Sequence, residues 1–319
     1  MVVATGFFDG VHLGHRFLIE RLIDEAHRRG TQSLIITFWP HPRNVLQNDA
    51  REFRLLTSLQ EKKELLLAMG VDRVEVLDFT REFSAMTMRE YIRQVLVERF
   101  GAECLVLGYD NRMGCDCRDS HEIEAIARAE GLDVVCPERI ETPDPVEGDA
   151  SCPAPSTSCP APTGHPISST RIRNALAEGR VEDAASMLGR PYSLHGVVVA
   201  GNRLGRTIGF PTANMQLYEP LKAIPAPGVY AVSVQTLGRD CLGMCNIGYR
   251  PTIGAANALT IETHILDFDE DIYGLDIRLH FWARIREERK FDSLSALADQ
   301  LREDKEQVIL RNEKKSLSL

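Results

Sequence analysis

The sequence predicts an α/β chain in two parts. A parallel-sheet α/β domain spans residues 1–188, and an antiparallel β-barrel closed by a terminal helix spans residues 189–319. Three observations carry this. Short apolar runs alternate with helical patterns through the first half, as strands covered on both faces by helices do. The alternation stops at a Pro-, Ser- and Gly-rich stretch over 141–166. From Tyr192 onward, strand-like runs follow one another with turns between them, as in an antiparallel barrel or sandwich.

The strand candidates of the first part are "VVAT" (2–5), "SLIITF" (33–38), "RVEVL" (73–77), "CLVLG" (104–108) and "LDVVC" (132–136). Their near-continuous apolar character suits strands buried on both faces. In "HRFLIERLIDEAHRRG", Phe17, Leu18, Leu22 and Ala26 form one apolar stripe, and Gly30 supplies the C-cap. "SLQEKKELLLAMG" opens at an N-cap serine, Ser58. "TMREYIRQVLVERFG" and "DSHEIEAIARAEG" repeat the scheme. The 141–166 stretch, with "SCPAP" twice, has nothing to bury and reads as an exposed, mobile loop. A helical pair follows, "SSTRIRNALAEG" and "VEDAASMLG". The barrel strands are "LHGVVVA", "GVYAVSVQT", "CLGMCNIG", "LTIETHILDF" and "LDIRLHFWARI", and "SLSALADQLREDKEQVIL" is one amphipathic helix packed on them.

Bulk properties limit the function classes. The 319 residues suit about two domains, and 44% hydrophobic content is ample for packed cores. A net charge of −9 argues against general nucleic-acid binding, while leaving room for a local basic pocket. No apolar run reaches the length of a membrane span and the N-terminus carries no secretory signal. The eight cysteines are scattered. Cys104, Cys136, Cys241 and Cys245 lie in apolar runs and are expected as buried thiols, "CDC" and "SCPAPSTSCPAP" do not have the spacing of zinc pairs, and a reducing cytoplasm is expected. A monomer or weak homo-oligomer is expected.

Two constellations carry chemistry. The first is "GFFDGVHLGH" (6–15), at the end of a strand and the start of a helix. In open parallel sheets ligands sit beyond the carboxyl ends of strands, and a helix N-terminus favours phosphate. Gly6, Gly10 and Gly14 let backbone approach an anion, and His12 and His15, three apart, donate to phosphate oxygens, more strongly when protonated. The competing reading is that the histidines only cap the helix. The form HxGH resembles the signature of nucleotidylyltransferases. "ISSTRIR" (167–173) adds the hydroxyls of Ser168, Ser169 and Thr170 and the charges of Arg171 and Arg173, a second anion site of the kind a pyrophosphate leaving group requires.

The second is "GVVVAGNRLGRTIGFPTAN" (196–214). Gly201, Gly205 and Gly209, with Arg203 and Arg206, form a loop able to cover a polyphosphate, though not a Walker A motif. Pro211 leads into Thr212 and Asn214, whose oxygens suit Mg²⁺. "NIGYRPTIG" includes Asn246, and in "IETHILDFDEDIYG" Glu262 and His264 alternate onto one strand face. Glu262 is either a base for a hydroxyl acceptor or a solvent-facing carboxylate.

Together, and in this order, these motifs with "TFWPHP", "LGYDNRMG" and "GVYA" resemble the bifunctional riboflavin kinase/FMN adenylyltransferases, the prokaryotic FAD synthetases. The resemblance covers nearly the whole chain. It implies a Rossmann-like nucleotidylyltransferase domain and a riboflavin kinase barrel. It implies two reactions: ATP and riboflavin give FMN and ADP, and ATP and FMN give FAD and pyrophosphate. It implies that His12, His15, Ser169, Thr170 and Arg173 hold the ATP of adenylyl transfer, with Gly6, Phe8, Asp9, Gly14 and Asp110 lining that site. In the kinase it implies Thr212 and Asn214 on Mg²⁺, Glu262 as base, and Gly201, Arg206, Gly209, Pro211 and Asn246 lining the nucleotide and flavin site. Asn111 and Met113 stand where aromatics are expected, which implies weaker flavin stacking. The chain also opens directly at the first strand, and the SCPAP repeat lengthens the loop before "ISSTRIR". All three departures fall in the adenylyltransferase half, so the alternative they leave open is a kinase whose first domain is a weakened or inactive scaffold.

Overall fold

The computed structural model describes residues 1–46, 53–108, 114–116, 120–137, 167–201, 204–250 and 258–317. Asp110, Asn111, Met113, Arg203 and the SCPAP stretch lie outside them. The described residues form two compact units, one holding residues up to 137 with 167–169, the other residues from 170 onward.

In the first unit the order is β1 (Val2–Thr5), α1 (Leu13–Arg29), β2 (Ser33–Trp39), α2 (Pro42–Leu46), α3 (Leu59–Ala68), β3 (Arg73–Asp78), α4 (Arg81–Ser84), α5 (Met88–Glu90), a π-helix (Tyr91–Arg99), β4 (Cys104–Val106), α6 (Ser120–Ala129) and β5 (Asp133–Val135). All strand pairs are parallel, in the order β3-β2-β1-β4-β5. Alternation splits each strand between two cores. Val3, Leu34, Ile36 and Leu105 pack under the π-helix and α6. Val2, Ala4, Ile35, Cys104 and Val106 pack under α1 and α3. Because β2 lies on one side of β1 and β4 on the other, the strand order reverses at β1, so the segment that leaves β1 stands at the topological switch point.

Local chemistry explains the boundaries. Gly30 closes α1 in the left-handed conformation (φ 64°). Ser58 and Glu61 form a capping box at α3. The stretch 87–101, which the sequence reads as an ordinary helix, is α-helical only at its start. Its later turns are wider, ending with the Phe100 N–H on the Val95 carbonyl at 3.2 Å.

The second unit begins with α7 (Ser169–Ala177, shared with the first at Ser169) and α8 (Val181–Leu188). Then come β6 (Tyr192–Val199), α9 (Leu204–Thr207), β7 (Ala213–Leu217), β8 (Gly228–Thr236), β9 (Arg239–Arg250), β10 (Ala258–Ile265), β11 (Asp276–Arg286) and α10 (Leu294–Leu317). The six strands close into an antiparallel barrel, β10-β7-β6-β11-β8-β9. Its interior is filled by Leu194, Val232, Cys245, Ile247, Ile261 and Phe281 among others. α8 packs on this barrel, with the Arg284 N–H on Glu182 Oε1 at 2.9 Å. α10 is fixed by Arg286, whose guanidinium grips both oxygens of the fully buried Asp304 at 2.8–3.0 Å. The strand β7 has no counterpart among the strands read from the sequence, and Pro211 and Thr212 lead into it.

Candidate active sites

After β1 the backbone turns sharply at residues 6–12. Phe8 and Val11 take φ of 46° and 39°, a region non-glycine residues rarely enter, and Gly10 takes 84°. Neighbouring elements hold this shape. The Asp9 carboxylate accepts the N–H groups of Leu56 (3.0 Å) and Thr57 (3.1 Å). The Gly10 N–H donates to Thr57 Oγ1 at 3.1 Å, and Lys62 Nζ donates to the Phe7 carbonyl at 3.0 Å. Ser169 Oγ donates to the Asp9 carbonyl at 2.9 Å, which ties Ser169 to the turn. Phe8 is buried in the core beneath α1, edge-on to His15, and a Cβ on Gly6 would lie 3.3 Å from its ring.

The two imidazoles stack, with centroids 3.6 Å apart and planes 15° apart. His12 is the N-cap of α1: its Nδ1 accepts the His15 N–H at 3.3 Å. The helix therefore starts at Leu13, one residue later than a His12 start. A ring that accepts at Nδ1 is neutral and carries its proton on Nε2. Nδ1 serves the helix, the ring proton sits on Nε2, and a proton on Nδ1 would break the cap. A Cβ on Gly14 would come 3.3 Å from His12 Nδ1, so glycine leaves the ring its place. Thr170 and Arg173 continue α7 in the second unit.

On the barrel, register builds the other site. Glu262 of β10 lies directly opposite Asn214 of β7 and Asn246 of β9. Directly opposed residues share a sheet face, so Asn214, Glu262 and Asn246 form one row across three strands. Their neighbours Ile261 and Thr263 point the other way, into the barrel with Met215, Cys245 and Ile247. Thr212 Oγ1 donates to Glu262 Oε2 at 3.4 Å. His264 Nδ1 donates to the Pro211 carbonyl at 2.8 Å and meets Phe210 edge-on, pinning the corner before β7. Burial pushes the His264 pKa below its ordinary value, opposed in part by that hydrogen bond. A Cβ on Gly201 would sit 2.2 Å from Asn214 Nδ2, so the glycine loop closes directly on the amide. Gly205 approaches the Phe210 carbonyl in the same way, and Gly209 turns with φ 83°. Arg206 and Pro211 are exposed on this loop.

Sequence reasoning missed Lys62, Thr57 and the clasp between His264 and Pro211. Lys62 sits in "EKKELLL", which reads as a solvated charge run. Its spacing of four from the buried Leu66 was the available signal.

A switch-point loop with a histidine-capped helix, and a barrel face carrying a carboxylate between two amides beside a glycine loop, suit a transferase of phosphoryl or nucleotidyl groups. Residues 1–143 match the family described as FAD synthetase, and residues 188–310 the family described as riboflavin kinase. The bifunctional riboflavin kinase/FMN adenylyltransferase of Listeria monocytogenes is 37% identical over 96% of this chain and 90% of its own length. That of Escherichia coli is 37% identical over 95% and 90%. The chain belongs to the bifunctional riboflavin kinase/FMN adenylyltransferase family. A solved structure described as a macrolide-efflux protein from Streptococcus pneumoniae is 31% identical, with TM-score 0.79 over 96% of this chain and 92% of its own. Efflux is said of that protein. Among the described residues here, no helix is long and apolar enough to cross a membrane.

Proposed function

We infer that the chain makes both flavin cofactors: it phosphorylates riboflavin to FMN with ATP and adenylylates FMN to FAD with release of pyrophosphate. Matches to both family halves support two activities rather than a kinase on an inert scaffold. The functional division we propose falls at residue 188, with 1–188 serving adenylyl transfer and 189–319 phosphorylation.

The observation that carries the kinase reading is the row Asn214–Glu262–Asn246 with Thr212 at its edge. The Glu262 carboxylate accepts the ribityl 5′-hydroxyl proton as that oxygen attacks the γ-phosphorus, and ADP leaves. Thr212 Oγ1, the Asn214 side-chain carbonyl and the adjacent carboxylate are all hard oxygen donors, which fits Mg²⁺. Bound there by Thr212 and Asn214, the metal would neutralise charge on the phosphates. Gly201, Gly209 and Arg206 would cover the nucleotide, with Pro211 and Asn246 lining the site.

In the first domain an FMN phosphate oxygen attacks the α-phosphorus of ATP. The bond from the α-phosphorus to the α,β-bridging oxygen breaks and pyrophosphate leaves. His12 Nε2–H and His15 donate to phosphate oxygens, Ser169, Thr170 and Arg173 receive the leaving group, and Asp110, outside the described residues, is assigned to the flavin phosphate and nucleotide. Gly6, Phe8, Asp9 and Gly14 hold the loop in shape. The partners are small molecules. We propose a monomer or weak homo-oligomer that binds no nucleic acid, in the cytoplasm, in keeping with the five described cysteines, all free thiols.

The test is one incubation with ATP, Mg²⁺ and riboflavin, following flavins by chromatography. FMN should appear first and FAD after it. FMN that accumulates and is never converted, even when supplied directly, would overturn the second activity.

A further inference from the structure

Lys62 of α3 lies in an unusual place for a lysine. It is only 5% exposed, and its Nζ donates to the carbonyl of Phe7, at the head of the strained turn. The carboxylate that acts on it is Asp9, from the same turn. Glu61, next to it on α3, is directed instead to the Ser58 N–H at 2.7 Å. The Asp9 carboxylate in turn holds the backbone of Leu56 and Thr57. Helix α3, the segment before it and the turn are thus joined through one ammonium and one carboxylate. Burial pushes the Lys62 pKa down to about 8 and Asp9 offsets this only in part, so the fold bears a desolvation cost that an apolar residue would not impose. A charge kept against such a cost points to function.

We propose that Lys62 is a positioning residue for adenylyl transfer: its charge, rather than its bulk, holds residues 6–12 in the shape that presents His12 and His15. The link to catalysis rests on the reading of that turn as the ATP site. The ammonium shares the Phe7 carbonyl with Thr37 Oγ1, which donates at 3.3 Å, and it balances Asp9 within a turn whose Phe8 and Val11 would otherwise relax from positive φ.

Lys62→Met keeps the stem and removes the charge, and Lys62→Arg keeps the charge. Two readouts apply to the full chain. The first is hydrogen–deuterium exchange of the 6–12 amides without ligand. Lys62→Met should speed it by about tenfold or more, and Lys62→Arg should restore much of the protection. Unchanged exchange in Lys62→Met overturns the proposal. The second is kcat/KM for ATP in FMN adenylylation. It should fall in Lys62→Met while riboflavin phosphorylation by the same chain stays as in the parent. In the parent it should also decline above about pH 8, and in Lys62→Arg that decline should vanish. A decline that persists in Lys62→Arg also overturns the proposal. If the turn loosens and adenylylation is unaffected, positioning stands and the ATP-site reading fails. Should Lys62→Met not fold, Lys62→Gln supplies the same comparison.

Discussion

If Glu262, held between two amides, is the base proposed above, its replacement should separate the activities. Glu262→Gln keeps the shape and removes the proton acceptor. FMN formation should drop by at least about 10²-fold, and adenylylation of supplied FMN should continue. His15→Ala should do the reverse. If either change impaired both reactions alike in a folded protein, the division of labour would be wrong. Lys62 has a stability signature as well. Below about pH 8 both folded and unfolded chains carry its proton, and the folded state bears the cost of burying the charge. Between about 8 and the ordinary 10.5 the folded chain has shed the proton and the unfolded chain has not. The unfolded state then binds more protons, so this group makes stability rise with pH across that window, by roughly 3 kcal/mol in all. Denaturant unfolding of the N-terminal unit should show the rise in the parent, and Lys62→Arg should not have it.

At the scale of elements, the kinase site depends on how closely a loop approaches a strand. Gly201→Ala places a methyl where the Asn214 amide lies, and the amide must leave the row. Riboflavin phosphorylation should fall by more than about tenfold, with adenylylation retained, as paired assays would show. Asp304→Ala strips Arg286 of its buried partner and should cost about 3 kcal/mol in a denaturant melt of the barrel. The same scale shows what the sequence made legible. Long periodic elements such as α1, β8 and β11 stood out because their apolar residues repeat at one period. β7 did not, since "ANMQL" mixes polar and unbranched residues and becomes a strand only by pairing with β6 and β10. The pairing of Glu262 with Asn214 and Asn246 is register, which no single stretch encodes. The tautomer of His12 likewise needed the backbone of His15.

For the whole molecule, two independent sites make a simple prediction. An equimolar mixture of His15→Ala and Glu262→Gln should convert riboflavin to FAD, because FMN made by one chain can be used by the other. Absence of FAD from the mixture, with each variant active in its own half-reaction, would mean that FMN is not released between steps. Motif order made the division into two activities readable, because each half carries its own glycine-rich motif. The fastening of the switch-point turn was not readable, because its partners Thr57, Lys62 and Ser169 lie far from it in sequence.

Among the described residues the closed barrel leaves no strand edge unpaired, whereas the parallel sheet ends in two, β3 and β5. Those borders carry Arg73 paired with Glu75 on one side and Asp133 bound to Arg29 on the other. Charges at exposed sheet borders discourage strand-to-strand association between molecules. Clumping on warming should therefore start from the N-terminal sheet, and neutralising Arg73 and Glu75 together should hasten it, as light scattering would register.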